Sequence, residues 1–316
     1  MRIVCTVDRG EHATAVARVA TSVARPLEAR LLLAHVVEPI ATTSADRGPH
    51  RALAARGREF LERTALEAGC GEWAQAAVRI GNPGFALEDL ARRWRADLVI
   101  CGSRGRGSIR ASLLGSVSRR LIGRSGRAVL VVPPQAARRW ANGEPDDGTL
   151  RSVVCGVDGS IGGFEAAEAG AHIAAGLGAR LTLVQAYLPV PDIALSTPPS
   201  SVLDVDALAE SERRTRIRLL RRAAALACDR TEVRTVMLEA EAAPALERVA
   251  DEQRAGLVIV GSRGRGKLLS TVLGSTSASL AASSSRPVLV VREAHASRLR
   301  RLEATDGRVA KVSGRD

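Results

Sequence analysis

The sequence predicts an α/β protein made of two tandem doubly wound domains, each a five-stranded parallel sheet with helices on both faces. The first reason is that its apolar runs of Val, Ile and Leu are continuous, as in strands buried on both faces. The second is that these runs alternate with segments of helical period. The third is an internal repeat: Asp8 follows the first apolar run of the chain, and Asp158 follows a similar run 150 residues later.

The same patterns place the individual elements. In the first half they predict strands at residues 2–7, 29–36, 76–80, 98–101 and 128–132, with helices at 11–24, 51–68, 85–95 and from about 115. In the second half they predict strands at residues 151–157, 181–187, 233–238, 257–260 and 287–291. A later motif repeats at an offset of 159 instead of 150, so about nine residues are inserted, most simply in the Pro/Ser-rich stretch 189–201.

Stretches rich in Pro, Gly and charged residues indicate where the chain divides into domains. We expect one domain at residues 1–134, a polar linker at 135–149, a second domain at 150–292 and a charged tail at 293–316. Beyond a short helix, the tail has no pattern that predicts ordered structure.

Composition narrows the class of protein. The 316 residues are 46% hydrophobic but only 2% aromatic, so the core must be built from Ala, Val, Leu and Ile. No uncharged apolar run reaches about 18 residues and the N-terminus enters a strand pattern at once, so we expect a soluble cytoplasmic protein without a membrane partner. The five cysteines are isolated from one another, which favours buried reduced thiols over disulfides or a metal site.

The formal net charge of +12 raises the question of a polyanionic partner. The densest basic run, residues 212–222, interleaves apolar residues at helical spacing, which favours an amphipathic helix with a solvated basic face over a polyanion groove. Aromatic stacking positions do not accompany it, so a nucleic-acid partner is not expected.

Each half contains a glycine signature directly after an apolar strand. The pattern Gly-x2-Gly-x9-Gly-Ser begins at Gly102 in the first half and at Gly261 in the second. A strand that leads through a glycine-rich loop into a helix presents bare backbone N–H groups to an anion. The segment at 261–267 also resembles a P-loop, but Leu268 stands where a Ser or Thr would reach magnesium. The signature therefore predicts a phosphate site in each half.

Asp8 and Asp158 each follow the first strand of their half. Ligands of open parallel sheets bind outside the carboxyl ends of the strands, where a carboxylate can accept from sugar hydroxyls or base N–H groups. A carboxylate that faces the glycine loop would suit a nucleotide. The alternative is that each Asp only caps the following helix, and the sequence leaves both interpretations open.

These residues, together with the closing apolar strands at 129–132 and 288–291, carry a resemblance to a known family. The chain resembles a tandem universal stress protein of the ATP-binding type. That resemblance implies a Rossmann-like sheet of order 3-2-1-4-5 in each half. It also implies an internal pseudo-dimer in which the halves pair through their fifth strands, or a homodimer of chains that pair likewise.

The resemblance further implies ATP, with or without Mg²⁺, in each half. The glycine signature would hold phosphates, the two aspartates would face ribose or adenine, and the backbone near Val36 and Ala186 would line the adenine. The implied contacts in the first half are Asp8, Val36, Gly102, Arg104, Gly105, Gly115, Ser116 and Val117. Those in the second half are Asp158, Ala186, Gly261, Arg263, Gly264, Gly274, Ser275 and Thr276. The halves depart from each other after the aspartates, where Arg9-Gly10 corresponds to Gly159-Ser160, so the two sites could differ in affinity.

Catalysis finds little support in the sequence. The five histidines have no metal-ligand spacing, no nucleophile elbow occurs, and His35 within a strand is interpreted as structural. We therefore expect a non-enzymatic nucleotide-occupancy sensor of the stress response that acts on an unidentified protein partner. The alternatives are slow ATP hydrolysis at the same sites and a polyanion-binding scaffold that uses the arginine-rich helix.

Overall fold

The structure, a computed structural model, describes residues 1–38, 48–103, 114–143, 150–188, 205–263 and 273–292. The first half consists of β1 (Arg2–Thr6), α1 (Ala13–Ala24), β2 (Arg30–Val37), α2 (Gly48–Glu67), β3 (Gln75–Ile80), α3 (Pro83–Arg93), β4 (Leu98–Gly102), α4 (Ser116–Arg124), β5 (Ala128–Val132) and α5 (Pro134–Ala141). The second half consists of β6 (Ser152–Gly156), α6 (Ile161–Leu177), β7 (Arg180–Tyr187), α7 (Val205–Ala225), β8 (Val233–Glu239), α8 (Ala242–Glu252), β9 (Leu257–Gly261), α9 (Ser275–Ser283) and β10 (Val288–Val291). The predicted α/β alternation is confirmed.

All ten strands form one sheet in the order β3-β2-β1-β4-β5-β10-β9-β6-β7-β8. Within each half the strands are parallel and follow the expected order 3-2-1-4-5. The halves join where β5 and β10 pair antiparallel, with Leu130 opposite Leu289. This is the fifth-strand pairing of an internal pseudo-dimer that the resemblance implies.

Two apolar layers cover the sheet, one on each face. Along β1, Ile3 and Cys5 face the layer of α1, α2 and α5, whereas Val4 faces the layer of α3 and α4. Both layers continue into the second half, because Cys155 joins the first layer and Val154 the second. Small aliphatic residues dominate both, as the low aromatic content predicts.

The segment expected to be a polar linker differs from that expectation. Residues 135–149 begin within α5, which starts with Pro134 at a position where proline's missing N–H costs nothing. Ala136, Ala137 and Trp140 are buried against α1, and Arg18 donates to the Trp140 carbonyl oxygen at 3.4 Å. The spacing of these apolar residues makes α5 an amphipathic helix of the first half.

The inserted residues lie between β7 and β8. β2 and β7 begin at Arg30 and Arg180, an offset of 150. In the sheet Leu32 pairs with Gln75 and Thr182 pairs with Arg234, so β3 and β8 are already offset by 159. The proposed place of the insertion, residues 189–201, lies outside the described residues, as does the tail at 293–316.

The arginine-rich segment is helix α7, as predicted. Leu220 and Ala223 are buried, while Arg214 points to solvent and its Nε lies 2.9 Å from Glu210 Oε1. This pairing lowers the pKa of the Glu210 carboxyl. Among the described helices, none is long and apolar enough to cross a membrane.

The cysteines largely follow expectation. Cys5, Cys70, Cys101 and Cys155 are buried and free, but Cys228 is free and exposed just beyond α7. The apolar strands bury three of the four, whereas Cys228 lies in a surface turn.

Candidate functional site

A cavity of about 1120 Å³ opens at the carboxyl edge of the first-half strands. β1 lies between β2 and β4, so the strand order reverses here, and this is where parallel sheets bind ligands. The segments that follow β1, β2 and β4 line the cavity, together with the first turn of α4 and one side of α2. Its size suits a small-molecule ligand, since such sites commonly span about 300 to 1,000 Å³.

Asp8 forms part of one wall of this cavity. Its Oδ1 accepts from the Gly10 backbone N–H at 3.1 Å, which folds the carboxylate over its own turn. The N-cap of α1 is His12, and no side chain caps that helix. Asp8 is therefore not a helix cap, and its Oδ2 has no hydrogen-bond partner among the described residues.

Asp158 has a similar turn in the second half. Its Oδ1 accepts from the Ser160 N–H at 3.0 Å and from the Ser160 hydroxyl at 2.6 Å. Ser160 itself is the N-cap of α6, where its Oγ accepts from the Gly163 N–H at 3.0 Å. Asp158 thus supports the capping serine instead of capping the helix directly.

The opposite wall is the glycine signature, whose two ends are tied together. Gly115 N–H donates to the Ser103 carbonyl oxygen at 2.7 Å, and the Ser118 hydroxyl lies 3.1 Å from the same oxygen. The second half repeats this arrangement, with Gly274 N–H donating to the Ser262 carbonyl oxygen at 2.9 Å. The described residues on either side of the signature, Ser103 and Gly115 in the first half and Ser262 and Gly274 in the second, therefore meet at one point of the sheet edge.

The helices that follow begin without a capping side chain. Gly115 is the N-cap of α4 and Gly274 the N-cap of α9, both with extended backbone and no side-chain cap. The first-turn N–H groups of α4, near Ser116 and Val117, belong to the cavity lining. Uncapped helix N-termini of this kind favour anions, through both free donors and the helix dipole.

The structure brings most of the expected first-half residues together. Lining the cavity are Asp8, Val36, Gly102, Gly115, Ser116 and Val117. Arg104 and Gly105 lie outside the described residues, as does Gly264. The equivalent second-half positions, at the offsets of 150 and 159, are Asp158, Ala186, Gly261, Arg263, Gly274, Ser275 and Thr276.

The two walls approach each other closely in the second half. A Cβ on Gly261 would lie 2.7 Å from the Gly162 carbonyl oxygen, so the start of α6 rests on the end of β9. A side chain at Gly261 would force these backbones apart. This glycine is thus needed for close packing as well as for any ligand.

His35 lines the cavity, although its position within a strand suggested only a structural role. Its Nδ1 lies 2.9 Å from the Val7 carbonyl oxygen, so Nδ1 is the donor, and its ring meets Phe60 edge-on at 5.0 Å. This bond holds the backbone immediately before Asp8. His35 therefore has a structural role, as predicted, and it has that role in the wall of the cavity.

Sequence reasoning missed four basic side chains of the lining, three arginines and one histidine. These are Arg9, His12, Arg56 and Arg119. The chain positions of Arg9 and Arg56 are 47 residues apart, yet Arg9 Nη2 donates to the Arg56 carbonyl oxygen at 3.0 Å. Such a meeting depends on how α2 packs over β2 and against α1, which no local pattern indicates.

Cys101 is the thiol of the lining. Burial raises its pKa to about 12, so it is a neutral thiol at physiological pH. Within the described part of the chain, no three His, Cys, Asp or Glu side chains cluster as metal ligands would.

Comparisons with known proteins agree with this architecture. The model of the universal stress protein family matches residues 1–133 and 149–292. A universal stress protein of Mycolicibacterium smegmatis is 30% identical over 303 residues, which cover 92% of this chain and 96% of that protein. One from Mycobacterium tuberculosis strain H37Rv is 32% identical over 206 residues, or 63% of this chain and 62% of that protein.

A solved structure has the same fold. The universal stress protein of Archaeoglobus fulgidus DSM 4304 is similar with a TM-score of 0.62 and 18% identity, covering 92% of this chain and 98% of its own. Together with the two matched ranges, these similarities show that the chain belongs to the universal stress protein family, as a tandem member with two copies of the family domain.

Proposed function

We propose that this protein binds an adenine nucleotide, with ATP as the first candidate, in the first-half cavity, and a second nucleotide at the equivalent residues of the second half. The observation that carries the proposal is that Asp8 and the Gly115–Ser116 helix start line one cavity at the point where strand order reverses. An anion-binding helix start on one wall and a carboxylate acceptor on the other match the two ends of a nucleotide.

The proposed role is to hold the nucleotide and report its occupancy to a protein partner during stress, in the cytoplasm. Two features of the described lining favour holding over turnover. The Cys101 thiol is kept neutral by burial, and the Ser118 hydroxyl is committed to backbone carbonyl oxygens of Ser103 and Gly115. Neither is an activated nucleophile.

Calorimetric titration of nucleotide-free protein with ATP tests this function. Saturable binding with a stoichiometry near two nucleotides per chain is expected, and absence of binding at millimolar ATP would overturn the proposal. A phosphate-release assay run alongside tests the holding role, which predicts no release above that of the Asp8→Asn variant.

A further inference from the structure

The first-half cavity carries more positive than negative side chains. Its described lining holds three arginines, Arg9, Arg56 and Arg119, and the imidazole of His12, against the carboxylates Asp8 and Glu38. His12 Nε2 lies 3.2 Å from Glu11, a contact that partly offsets its charge when it is protonated. The arginines are exposed at the mouth, where an incoming ligand would meet them.

The cations are concentrated at the Asp8 end of the cavity. Arg9 directly follows Asp8, its guanidinium lies 5.6 Å from the centre of the Phe60 ring, and its Nη2 is bonded to the Arg56 carbonyl oxygen. Among the described residues, no carboxylate pairs with Arg9 or Arg56. A guanidinium has five N–H donors in a fixed fork, so Arg9 keeps donors for an anion.

The second half has none of this charge at its equivalent positions. The offset of 150 relates Arg9 to Gly159 and His12 to Gly162, and the offset of 159 relates Arg56 to Thr215 and Arg119 to Ala278. The offset of 159 also aligns α2 with α7, because it relates Leu61 to Leu220 and both of these leucines are buried.

Packing also closes the second half to such side chains. Gly159 has φ +80°, and a Cβ there would lie 2.5 Å from Leu219 Cδ1. A Cβ on Gly162 would lie 2.9 Å from the Arg263 carbonyl oxygen. At these two positions the backbone of the second half therefore disfavours a side chain, which reinforces the difference in sequence.

We propose that the first-half site prefers an adenine nucleotide with a second anionic group on its ribose, such as a 2′- or 3′-phosphate. Arg9, His12 and Arg56 bind that group beside Asp8, while the α4 helix start and Arg119 bind the 5′-phosphate. The second-half site takes nucleotides whose charge lies on the 5′ side alone. The assignment rests on the proposed function, because it places the ribose at Asp8.

Calorimetry on the full-length, nucleotide-free protein separates the possibilities, with AMP and adenosine 3′,5′-bisphosphate as probes and the 2′,5′ isomer as a third. We expect one site of the wild type to bind a bisphosphate at least about tenfold more tightly than AMP, which corresponds to about 1.4 kcal/mol. The variant Arg9→Gly/Arg56→Thr, which installs the second-half residues, should lose this preference.

Two further variants serve as controls for the double variant. Arg58→Thr removes another exposed arginine of α2 that does not line the cavity, and it should leave the preference intact. Arg56→Lys keeps the charge and should retain most of the preference, which covers the case in which the double variant fails to fold.

The outcomes are distinct. If AMP binds and neither bisphosphate binds more tightly, the ribose-phosphate assignment is wrong and nucleotide binding stands. If none of the probes binds, both proposals fall. A preference that survives Arg9→Gly/Arg56→Thr, or that Arg58→Thr removes equally, also overturns the assignment.

Discussion

The Ser118 hydroxyl donates to the Ser103 carbonyl oxygen at 3.1 Å, and so ties the first turn of α4 to the end of β4. Ser118 is 1% exposed, and the same bond recurs between Ser277 and Ser262 at 3.3 Å. Each serine also reaches the carbonyl oxygen of its N-cap glycine, Gly115 or Gly274. One buried side chain in each half thus fixes where the helix begins.

Ser118→Ala should loosen this junction. We expect the free energy of unfolding to fall by about 1 kcal/mol, the usual net value of one buried hydrogen bond, and nucleotide affinity at the first-half site to fall with it. Denaturant melts and calorimetry measure the two effects. Ser277→Ala is the matched control, since it should weaken the second site and spare the first; an equal loss at both sites would contradict the local role.

Asp8→Asn should weaken nucleotide binding in the first half without unfolding the chain. The amide oxygen can still accept from the Gly10 N–H, so the turn is kept, but the charged acceptor is lost. A fall in affinity of about tenfold is expected by calorimetry. Asp158→Asn should do the same at the other site, and unchanged affinity in both variants would rule out the aspartate wall.

Two buried arginines predict a stability effect far from the site. Arg127, just before β5, donates from Nε to the Ala96 carbonyl oxygen at 2.6 Å, and Arg286, just before β10, bonds to Ala255 in the same way at 2.8 Å. Arg127→Met would leave a buried carbonyl oxygen without its donor, at a cost of about 1 to 3 kcal/mol in thermal or denaturant melts. Arg124→Met at the end of α4 is the control, and an equal loss of stability there would show that the Arg127–Ala96 hydrogen bond is not the cause.

Thiol reactivity should separate one cysteine from the rest. Cys228 is exposed, whereas burial raises the pKa of Cys5 and Cys155 well above the usual range and that of Cys101 to about 12. Alkylation of native protein at pH 8, followed by mass spectrometry, should therefore label Cys228 alone. Rapid labelling of Cys101 would mean that its strand opens readily.

The same pKa shift sets a limit on alkaline stability. Since the Cys101 pKa is higher in the folded chain than in the unfolded one, its contribution is fully present below about pH 9 and is lost as pH rises towards 12. Between those pH values the free energy of unfolding of the wild type should fall more steeply than that of Cys101→Ala, so that the two curves converge; parallel curves would show that the thiol is not responsible.

The sequence predicted the features that are local or repeated. Continuous apolar runs marked the strands, and the glycine signature marked the start of α4, because both depend on neighbouring residues. Strand order and the β5–β10 pairing came from the family resemblance and not from periodicity. The role of Asp8 needed the structure. Only there is it seen that the Asp8 carboxylate accepts from Gly10 N–H, and that α1 begins at the N-cap His12 without a hydrogen bond from any capping side chain.

Features that depend on distant packing were not predictable. Helix α5 was not predicted, because it lies in a segment rich in polar and turn residues and its few apolar side chains are explained only by their packing against α1. Arg9 and Arg56 looked like ordinary surface charge until α2 brought them to one cavity mouth. Residues 39–47 and 264–272 lie outside the described residues, so Gly264 stays a sequence prediction.

Native mass spectrometry of protein equilibrated with ATP tests nucleotide binding most directly, with wild type beside Asp8→Asn and Asp158→Asn. At an ATP concentration that just fills the wild-type sites, two bound nucleotides per chain are expected for the wild type and closer to one for each variant, because a loss of affinity of about tenfold empties most of one site. A wild-type chain that carries no nucleotide mass at saturating ATP would contradict the two-site account.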